Sequence, residues 1–212
     1  MVFSIFQALN LAVKKHNEGD LNGAEFIYRK ILEEYPNNAD SWHLLGLVAC
    51  QVGKYEEAVK NINKAISINP NQALFYSNLG MTYDAAGREE EATENFHKAL
   101  NIDPNFIKAH VMHYNLGVFY SDMGQISDAL EHYDKAIKLD NSFYEARWNR
   151  SLTLLLLEKF EEGWKEYEYR FMKEKPSDTR NFGKPKWDGS SLEGKRILII
   201  SEQGFGDSIN FI

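Results

Sequence analysis

The chain has 212 residues, of which 43% are apolar and 26% are charged, and its formal net charge is −7. This composition is ordinary for a soluble globular protein, and the acidic balance argues against a nucleic-acid surface, which is normally basic. Cys50 is the one cysteine, so an intrachain disulfide is excluded, and no apolar run approaches the roughly 20 residues that cross a bilayer. We expect a cytoplasmic protein without a metal or a cofactor.

Five stretches of the chain repeat one pattern with a period of 34 residues. The fifteenth place is glycine in the first four stretches and Glu158 in the fifth, and the twentieth place is always alanine or glycine. Small residues at fixed places indicate helix pairs that approach closely and stack on their neighbours. The eighth place is also small, as Ala12, Gly46, Gly80, Gly117 and Ser151. The predicted units are 5–38, 39–72, 73–106, 110–143 and 144–174.

The third unit shows why each repeat is predicted to be a helical hairpin. Tyr76, Leu79 and Tyr83 recur at three- and four-residue steps, which places them on one face of a helix. Gly87 can close that helix by adopting the left-handed conformation. Pro104 ends the second helix, because the residue before a proline disfavours helical backbone.

These features resemble the tetratricopeptide repeat family over about 80% of the chain. The second unit carries the family's residues in the expected order, as Trp42, Leu45, Gly46, Tyr55, Ala58, Ala65 and Pro70. The resemblance implies an all-α, right-handed superhelical solenoid of helix-turn-helix hairpins, here followed by a short loop and strand tail. Arrays of this kind mostly bind proteins rather than catalyse reactions, so we expect an interaction module and no enzyme in this chain.

Two departures from the pattern predict local changes in structure. Three extra residues at 107–109 are expected to lengthen the first helix of the fourth unit by about one turn. The fifth unit has Glu158 in place of the turn glycine and Arg170 in place of a small residue. A large charged residue there cannot pack against another repeat, so the fifth unit is predicted to be the end of the array or a junction to another domain.

The concave face formed by the first helices is the predicted binding site. Four of five units place asparagine at the sixth position, and an amide can both donate to and accept from the backbone of an extended peptide. Such a ladder is similar to that in the repeat region of O-linked N-acetylglucosamine transferases. The alternative is that these amides bond within their own units. The predicted groove residues are Asn10, His43, Asn78, Met81, Tyr114, Asn115, Trp148 and Asn149.

The side chains at the groove positions also bear on other kinds of partner. Tyr114 and Trp148 could anchor a partner side chain or cover the start of a following domain. The positions that form a carboxylate clamp in some tetratricopeptide proteins hold no cation here, which argues against capture of an acidic chain terminus. Self-association through the end repeats or through the C-terminal strand is a third possibility.

The C-terminal stretch has a different composition. Residues 175–195 resemble a linker, and 196–212 predict the first strand and glycine loop of an incomplete Rossmann-like domain. With Pro185-x-Trp187-Asp188-Gly189, this stretch resembles the start of heptosyltransferase-like catalytic domains that follow tetratricopeptide repeats in bacterial proteins. We therefore expect a fragment of a longer protein, for which the array would recruit the substrate of a glycosyltransferase.

The resemblance also assigns residues in that loop. It makes Asp207 a candidate base of the longer protein, and Gly204 and Gly206 a weak, incomplete ligand-binding loop. The residues alone allow a simpler role, in which Asp207 caps a helix that begins at Ser208.

His110 and His113 lie three residues apart on one predicted helix, so both could reach one metal ion. No further ligand is evident nearby in the sequence. We therefore expect both histidines to serve packing or surface roles.

Overall fold

The structure is a computed structural model that describes residues 4–172 together with Gly183, Ser191, Glu193, Gly194 and Arg196. Within these residues, all regular secondary structure is helical, as ten α-helices and one terminal 3-10 helix. The helices are α1 Ile5–Asn17, α2 Leu21–Glu34, α3 Ala39–Gln51, α4 Tyr55–Ile68, α5 Ala73–Ala85, α6 Glu89–Ile102, α7 Ala109–Asp122, α8 Ile126–Leu139, α9 Tyr144–Leu156 and α10 Phe160–Tyr167, followed by the 3-10 helix Glu168–Met172.

Successive helices form hairpins that stack into a right-handed superhelical solenoid, which confirms the predicted fold class. Each first helix packs most extensively on the second helix of its own pair, and each second helix from α2 to α8 then packs on the first helix of the next pair. One core segment shows the pattern, because Ala92 and Phe96 of α6 pack with Met112 and Leu116 of α7. The core is therefore a continuous row of contacts between neighbours.

The small residues at the eighth position allow the two helices of a hairpin to approach, as predicted. A Cβ atom added at Gly80 would lie 2.5 Å from Cε1 of Phe96, and one added at Gly117 would lie 2.5 Å from Cε1 of Tyr133. Real Cβ atoms do not approach other carbons so closely. Glycine at these places lets a large ring of the second helix pack directly against the backbone of the first helix.

The turns within the hairpins use left-handed backbone conformation. Gly19, Gly53, Gly87 and Gly124 have φ between 72° and 82°. Glu158 keeps the same conformation, with φ of 60°, although a Cβ atom makes it unfavourable. The fifth hairpin therefore retains the repeat geometry at the cost of local backbone strain.

Replacing Glu158 by glycine is expected to stabilise the protein by about 1 kcal/mol, because glycine adopts this backbone without a Cβ clash. Thermal unfolding should shift upward by a few degrees. Glu158→Ala is the matched control, since it removes the same carboxylate but keeps a Cβ atom. An equal gain in both variants would show that the side chain, and not the backbone, carries the strain.

The predicted lengthening of the fourth unit's first helix is wrong. Helix α7 has 14 residues against 13 in α5, so it gains one residue and not a turn. The remaining insertion lies in the connection before it, which runs from 103 to 108 where the connection before α5 runs from 69 to 72. The Asp103 carboxylate accepts from the amide of Asn105 at 3.0 Å, and Phe106 packs on the core between α6 and α7. The extra residues thus form a turn that packs a partly buried aromatic side chain against the core.

The last hairpin differs from the others at its second helix. Helix α10 has eight residues and continues as the 3-10 helix, where the guanidinium of Arg170 lies 3.9 Å from the ring centre of Phe171 and 4.4 Å from that of Tyr167. The predicted junction at this unit stays a prediction. The predicted linker and strand, with Gly204, Gly206 and Asp207, lie outside the described residues, apart from the five isolated ones named above. In the described part of the chain, no helix is long and apolar enough to span a membrane.

Candidate functional site

The first helices of the hairpins form the inner surface of the solenoid, called the groove below. Helix α3 contacts α5 directly, and α7 contacts α9. Three side-chain hydrogen bonds join consecutive first helices, each between residues 35 apart. They are His16 Nε2 with Gln51 Oε1 at 3.1 Å, Asn78 Nδ2 with His43 Nε2 at 2.7 Å, and Asn149 Nδ2 with Tyr114 Oη at 3.3 Å. Polar side chains therefore cross-link the units along the groove.

Asn78 lies beneath the groove surface rather than on it. Its side chain is 4% exposed, its amide nitrogen donates to His43, and its amide oxygen accepts from Lys108 Nζ at 3.3 Å. Both ends of the amide are therefore engaged within the protein. The two hydrogen bonds join Asn78 to a neighbouring unit and to the connection before α7. Asn78 is therefore neither free to bind a peptide backbone nor bonded within its own unit, which were the two alternatives considered from the sequence.

The two hydrogen bonds from Lys108 to Asn78 and from Asn78 to His43 run in one donor-to-acceptor direction. An amide nitrogen can only donate, so Nε2 of His43 must accept and the ring must be neutral. Burial, with a smaller contribution from the positive charge of Lys108, lowers the pKa of His43 to about 4. A neutral histidine is thus built into the contact between α3 and α5.

Asn78→Ala is expected to cost about 1–3 kcal/mol of unfolding free energy, because it leaves the buried His43 nitrogen without its donor. Asn10→Ala is the matched control, since Asn10 is exposed on α1 and should change stability by less than about 0.5 kcal/mol. Urea unfolding followed by circular dichroism measures both. Similar small changes in the two variants would mean that the Asn78 amide contributes no more than an exposed one.

The other predicted groove residues lie nearer the surface. Asn10 is exposed, Met81 is 38% exposed, and Asn115 and Trp148 are half-buried. Tyr114 is half-buried on α7, and burial raises the pKa of its hydroxyl. Tyr114 and Asn149 are brought together by their hydrogen bond, as are His43 and Asn78.

The groove opens into a cleft between α7 and α9, called the α7/α9 cleft below. Its volume is about 350 Å³. Apolar atoms of Leu152, which is 41% exposed, and Leu156, which is 69% exposed, lie beside polar groups. The lining residues are Val118, Ser121, Asp122, Tyr133, Asn149, Leu152, Thr153 and Leu156. The cleft offers an apolar surface with hydrogen-bonding groups at its edges, which suits a polypeptide side chain.

Among the lining residues, only Asn149 belongs to the predicted groove residues, which did not include Asp122 and Leu156. These two residues hold the thirteenth place of their units, four residues after Val118 and Leu152. Residues four apart lie on the same helix face. Adding the thirteenth position of each unit to the predicted inward face would have included both residues.

Three exposed carboxylates belong to the first helices, namely Asp40 on α3, Asp84 on α5 and Asp122 on α7. Within the described residues, none of the three forms an ion pair. Their negative charge is therefore not offset by an ion pair within these residues, and Asp122 carries its charge into the α7/α9 cleft.

A histidine cluster joins α6, α7 and α8. Nδ1 of His113 lies 2.9 Å from Nδ1 of His132, and His97 Nε2 lies 3.1 Å from the hydroxyl of Tyr120, whose ring stacks on His132. Burial is the main cause that lowers the pKa of His113 and of His132 to about 4. The cluster is therefore neutral near pH 7 and forms part of the contact between units.

The two histidines considered for a metal do not converge. His110 packs edge-on against Phe143, whereas His113 turns to His132. Across residues 4–172 and the five isolated positions, no group of three histidine, cysteine or acidic side chains is arranged to hold a metal ion.

Comparisons with known proteins agree with this architecture. Family models described as tetratricopeptide repeat match residues 38–105 and 111–143. Protein FlbA of Caulobacter vibrioides is 44% identical over 64 residues, which span 29% of this chain and 11% of FlbA. The crystal structure of MamA superposes with a TM-score of 0.67 and 24% sequence identity, and the match covers 80% of this chain and 91% of the MamA chain. The structure of YrrB, described as a tetratricopeptide repeat (TPR) protein with an unusual peptide-binding site, superposes with a TM-score of 0.63 and 18% sequence identity. That match covers 80% of this chain and 86% of the YrrB chain.

Proposed function

We propose that these tetratricopeptide repeats hold an extended segment of another protein in the groove. The observation that carries the proposal is the α7/α9 cleft, where Leu152 and Leu156 remain exposed beside hydrogen-bonding groups. Exposed apolar side chains gathered in a concave surface gain free energy when a partner covers them, at about 25 cal/mol for each Å² removed from water.

The spacing of the repeats suits an extended chain. Packed helices lie about 8–10 Å apart, and an extended chain advances about 3.3 Å for each residue. Consecutive first helices would therefore meet about every third residue of a partner segment. Met81 on α5, Tyr114 on α7 and Leu152 on α9 supply one partly exposed side chain in each of three consecutive units.

The comparison with YrrB supports the same use of the fold, because a peptide-binding site is named for that protein. It bears on this chain only as a precedent for the architecture. The acidic first helices and the α7/α9 cleft are properties of this sequence.

The test selects peptides from a random display library against the 212-residue chain and then measures the affinity of one selected peptide. Leu152→Glu should weaken binding by about a hundredfold, because it places a charge in the apolar part of the cleft. Phe26→Glu is the matched control, since Phe26 is 64% exposed on a second helix, α2, away from the groove. It should leave the affinity unchanged.

Two results would contradict the proposal. One is a selected peptide whose affinity falls with Phe26→Glu and not with Leu152→Glu. The other is a library from which no peptide is recovered above background while the chain stays folded. Circular dichroism of each variant shows whether the helices are retained.

A second candidate function, end-to-end self-association, is favoured by the last hairpin. Phe160 and Trp164 on α10 are 55% and 57% exposed. Leu11 on α1 is 41% exposed, whereas Leu45 and Leu79 at the same repeat position are 2% and 3% exposed. If a second copy docked its α1 on α10, the exposed side chains of both helices would be covered. The contact would repeat the one that each of α2, α4, α6 and α8 makes with the first helix of the next pair.

Sedimentation equilibrium tests this candidate. A mass that rises with concentration in the wild type and stays monomeric in Trp164→Glu would support end-to-end docking, with Phe26→Glu as the control. A monomer at all concentrations would exclude it. The proposed groove does not depend on this result.

The glycosyltransferase alternative rests on residues outside the described part of the chain. It predicts that a longer gene product hydrolyses or transfers sugar from a nucleotide sugar, and that Asp207→Asn abolishes this activity. A gene that does not continue into a Rossmann-type domain would exclude it.

A further inference from the structure

We propose that the groove selects a basic segment, in which an apolar side chain enters the α7/α9 cleft and a lysine or arginine two residues away pairs with Asp122. This inference rests on the proposed function and adds the chemistry of the partner. The observations that carry it are the position of Asp122 in the cleft beside Leu152 and the absence of an ion-pair partner for it among residues 4–172.

The carboxylate of Asp122 lies where it can pair with a cation of the partner that stands next to an apolar side chain. It lines the same cleft as Leu152 and Leu156, and it is exposed. Asp84 holds the twelfth place of the preceding unit, which is the place of Ser121 in the cleft. A segment that runs along the groove therefore meets one carboxylate in the cleft and another near the preceding unit.

Lys108, Arg147 and Arg150, which belong to the connection before α7 and to α9, are engaged in other contacts. Lys108 donates to Asn78 at 3.3 Å. Arg150 on α9 pairs with Asp134 at 2.6 Å and with Glu166 at 2.6 Å. Arg147 pairs with Glu166 at 3.8 Å and its guanidinium lies 4.8 Å from the ring centre of Tyr169. These contacts engage both arginines with α8, α10 and the 3-10 helix, and neither arginine pairs with Asp122.

The spacing between α7 and α9 defines the partner's pattern. Asp122 on α7 and Leu152 on α9 line the same cleft, and packed helices lie about 8–10 Å apart. In an extended chain, residues i and i+2 point to the same side and are about 6.6 Å apart, and the long stem of a lysine or arginine spans the remaining distance. An apolar residue and a cation at i and i+2 would therefore reach Leu152 and Asp122 together.

Acidic partners fit poorly by the same reasoning. A carboxylate in the cleft would face Asp122, and bringing like charges together in a partly dry site disfavours binding. The net charge of −7 adds a long-range preference for basic segments. That long-range term is sequence-independent, so the experiment separates it from a specific contact with Asp122.

Fluorescence anisotropy of three synthetic peptides tests the inference. The peptides repeat Leu-Ser-Lys, Leu-Ser-Glu or Leu-Ser-Ser, which keep leucine and the third residue two positions apart. The lysine peptide should bind at least about tenfold more tightly than the glutamate peptide, and Asp122→Asn should weaken it about fivefold to tenfold. Asp128→Asn is the charge-matched control, because Asp128 is exposed on α8, and it should change the affinity less than about twofold.

The outcomes separate this inference from the groove itself. Equal affinity for the lysine and glutamate peptides, with both lost in Leu152→Glu, would keep the groove and overturn the basic preference. Equal weakening by Asp122→Asn and Asp128→Asn would show non-specific attraction and overturn the preference as well. Binding that survives Leu152→Glu for every peptide would overturn both proposals.

Discussion

Acidification from pH 6.5 toward pH 4 is expected to reduce the free energy of unfolding by about 2–4 kcal/mol for each pH unit. Three histidines are responsible, because burial lowers the pKa of His43, His113 and His132 to about 4. An unfolded histidine titrates near pH 6.5, so between these values the unfolded chain binds protons that the folded chain excludes. The stabilisation is complete above pH 6.5 and is lost as the pH falls.

The magnitude follows from the number of protons. Each histidine contributes at most about 1.4 kcal/mol per pH unit, which sets an upper limit of about 4 kcal/mol for three. His43 is 4% exposed and should contribute nearly the full value of about 1.4 kcal/mol per pH unit. His113 and His132 are half-buried and share one hydrogen bond, so solvent screening and their coupling reduce their joint share. Lys135 opposes protonation of this pair, whereas Glu131 favours it.

Urea unfolding at pH 7, 6 and 5 measures the slope. His43→Gln should lower the slope by about 1 kcal/mol per pH unit, because one excluded proton is removed. His16→Gln is the control, since that ring lies at the end of α1 and bonds Gln51. A free energy that stays constant from pH 7 to pH 5 would contradict the buried neutral state of these rings.

Phe96→Ala is expected to destabilise the array by about 3–5 kcal/mol, which is the usual cost of deleting a buried aromatic ring. Phe96 is 3% exposed and fills the space against Gly80 within its hairpin and against Met112 and Leu116 of the next unit. Thermal and urea unfolding should both show the loss. A cost below about 1 kcal/mol would mean that the neighbouring units do not share a core at this point.

A double-mutant cycle tests the close approach of α5 and α6 directly. Gly80→Ala alone should cost about 1–3 kcal/mol, because its Cβ would press on the Phe96 ring. In the Phe96→Ala background the same change should cost less, since the ring is gone and the close contact that remains is with the Ala92 carbonyl oxygen at 3.0 Å. Additive effects would show that Gly80 is required for another reason than contact with Phe96.

The fold was largely predictable because the repeat imposes the same local physics five times. The hairpin turns follow from glycines at one fixed place, and the close helix approach follows from Gly46, Gly80 and Gly117 at another. The insertion before α7 was misread, because period alone cannot tell whether extra residues join a helix or a turn. Phe106 is partly buried against the core between α6 and α7, and that contact depends on the neighbouring unit.

The hydrogen bonds between the first helices could not be predicted from the sequence. Helical register indicated an inward face for Met81, which is 38% exposed, and the use of that face for binding stays a prediction. It could not show that Asn78 would reach a histidine one unit back and a lysine in the next connection. The histidine cluster was missed for the same reason, since His97, His113 and His132 come from three helices. Contacts between units depend on superhelical geometry, which one-dimensional spacing does not encode.

The measurement that tests the central claim most directly is photo-crosslinking of a selected peptide that carries a benzophenone group to the wild-type chain, mapped by mass spectrometry. The groove proposal predicts cross-links on α5, α7 and α9, concentrated near Met81 and Leu152, and their loss when unlabelled peptide competes. Competed cross-links confined to the second helices α4, α6 and α8 would contradict it, because they would place the partner on the opposite face of the solenoid.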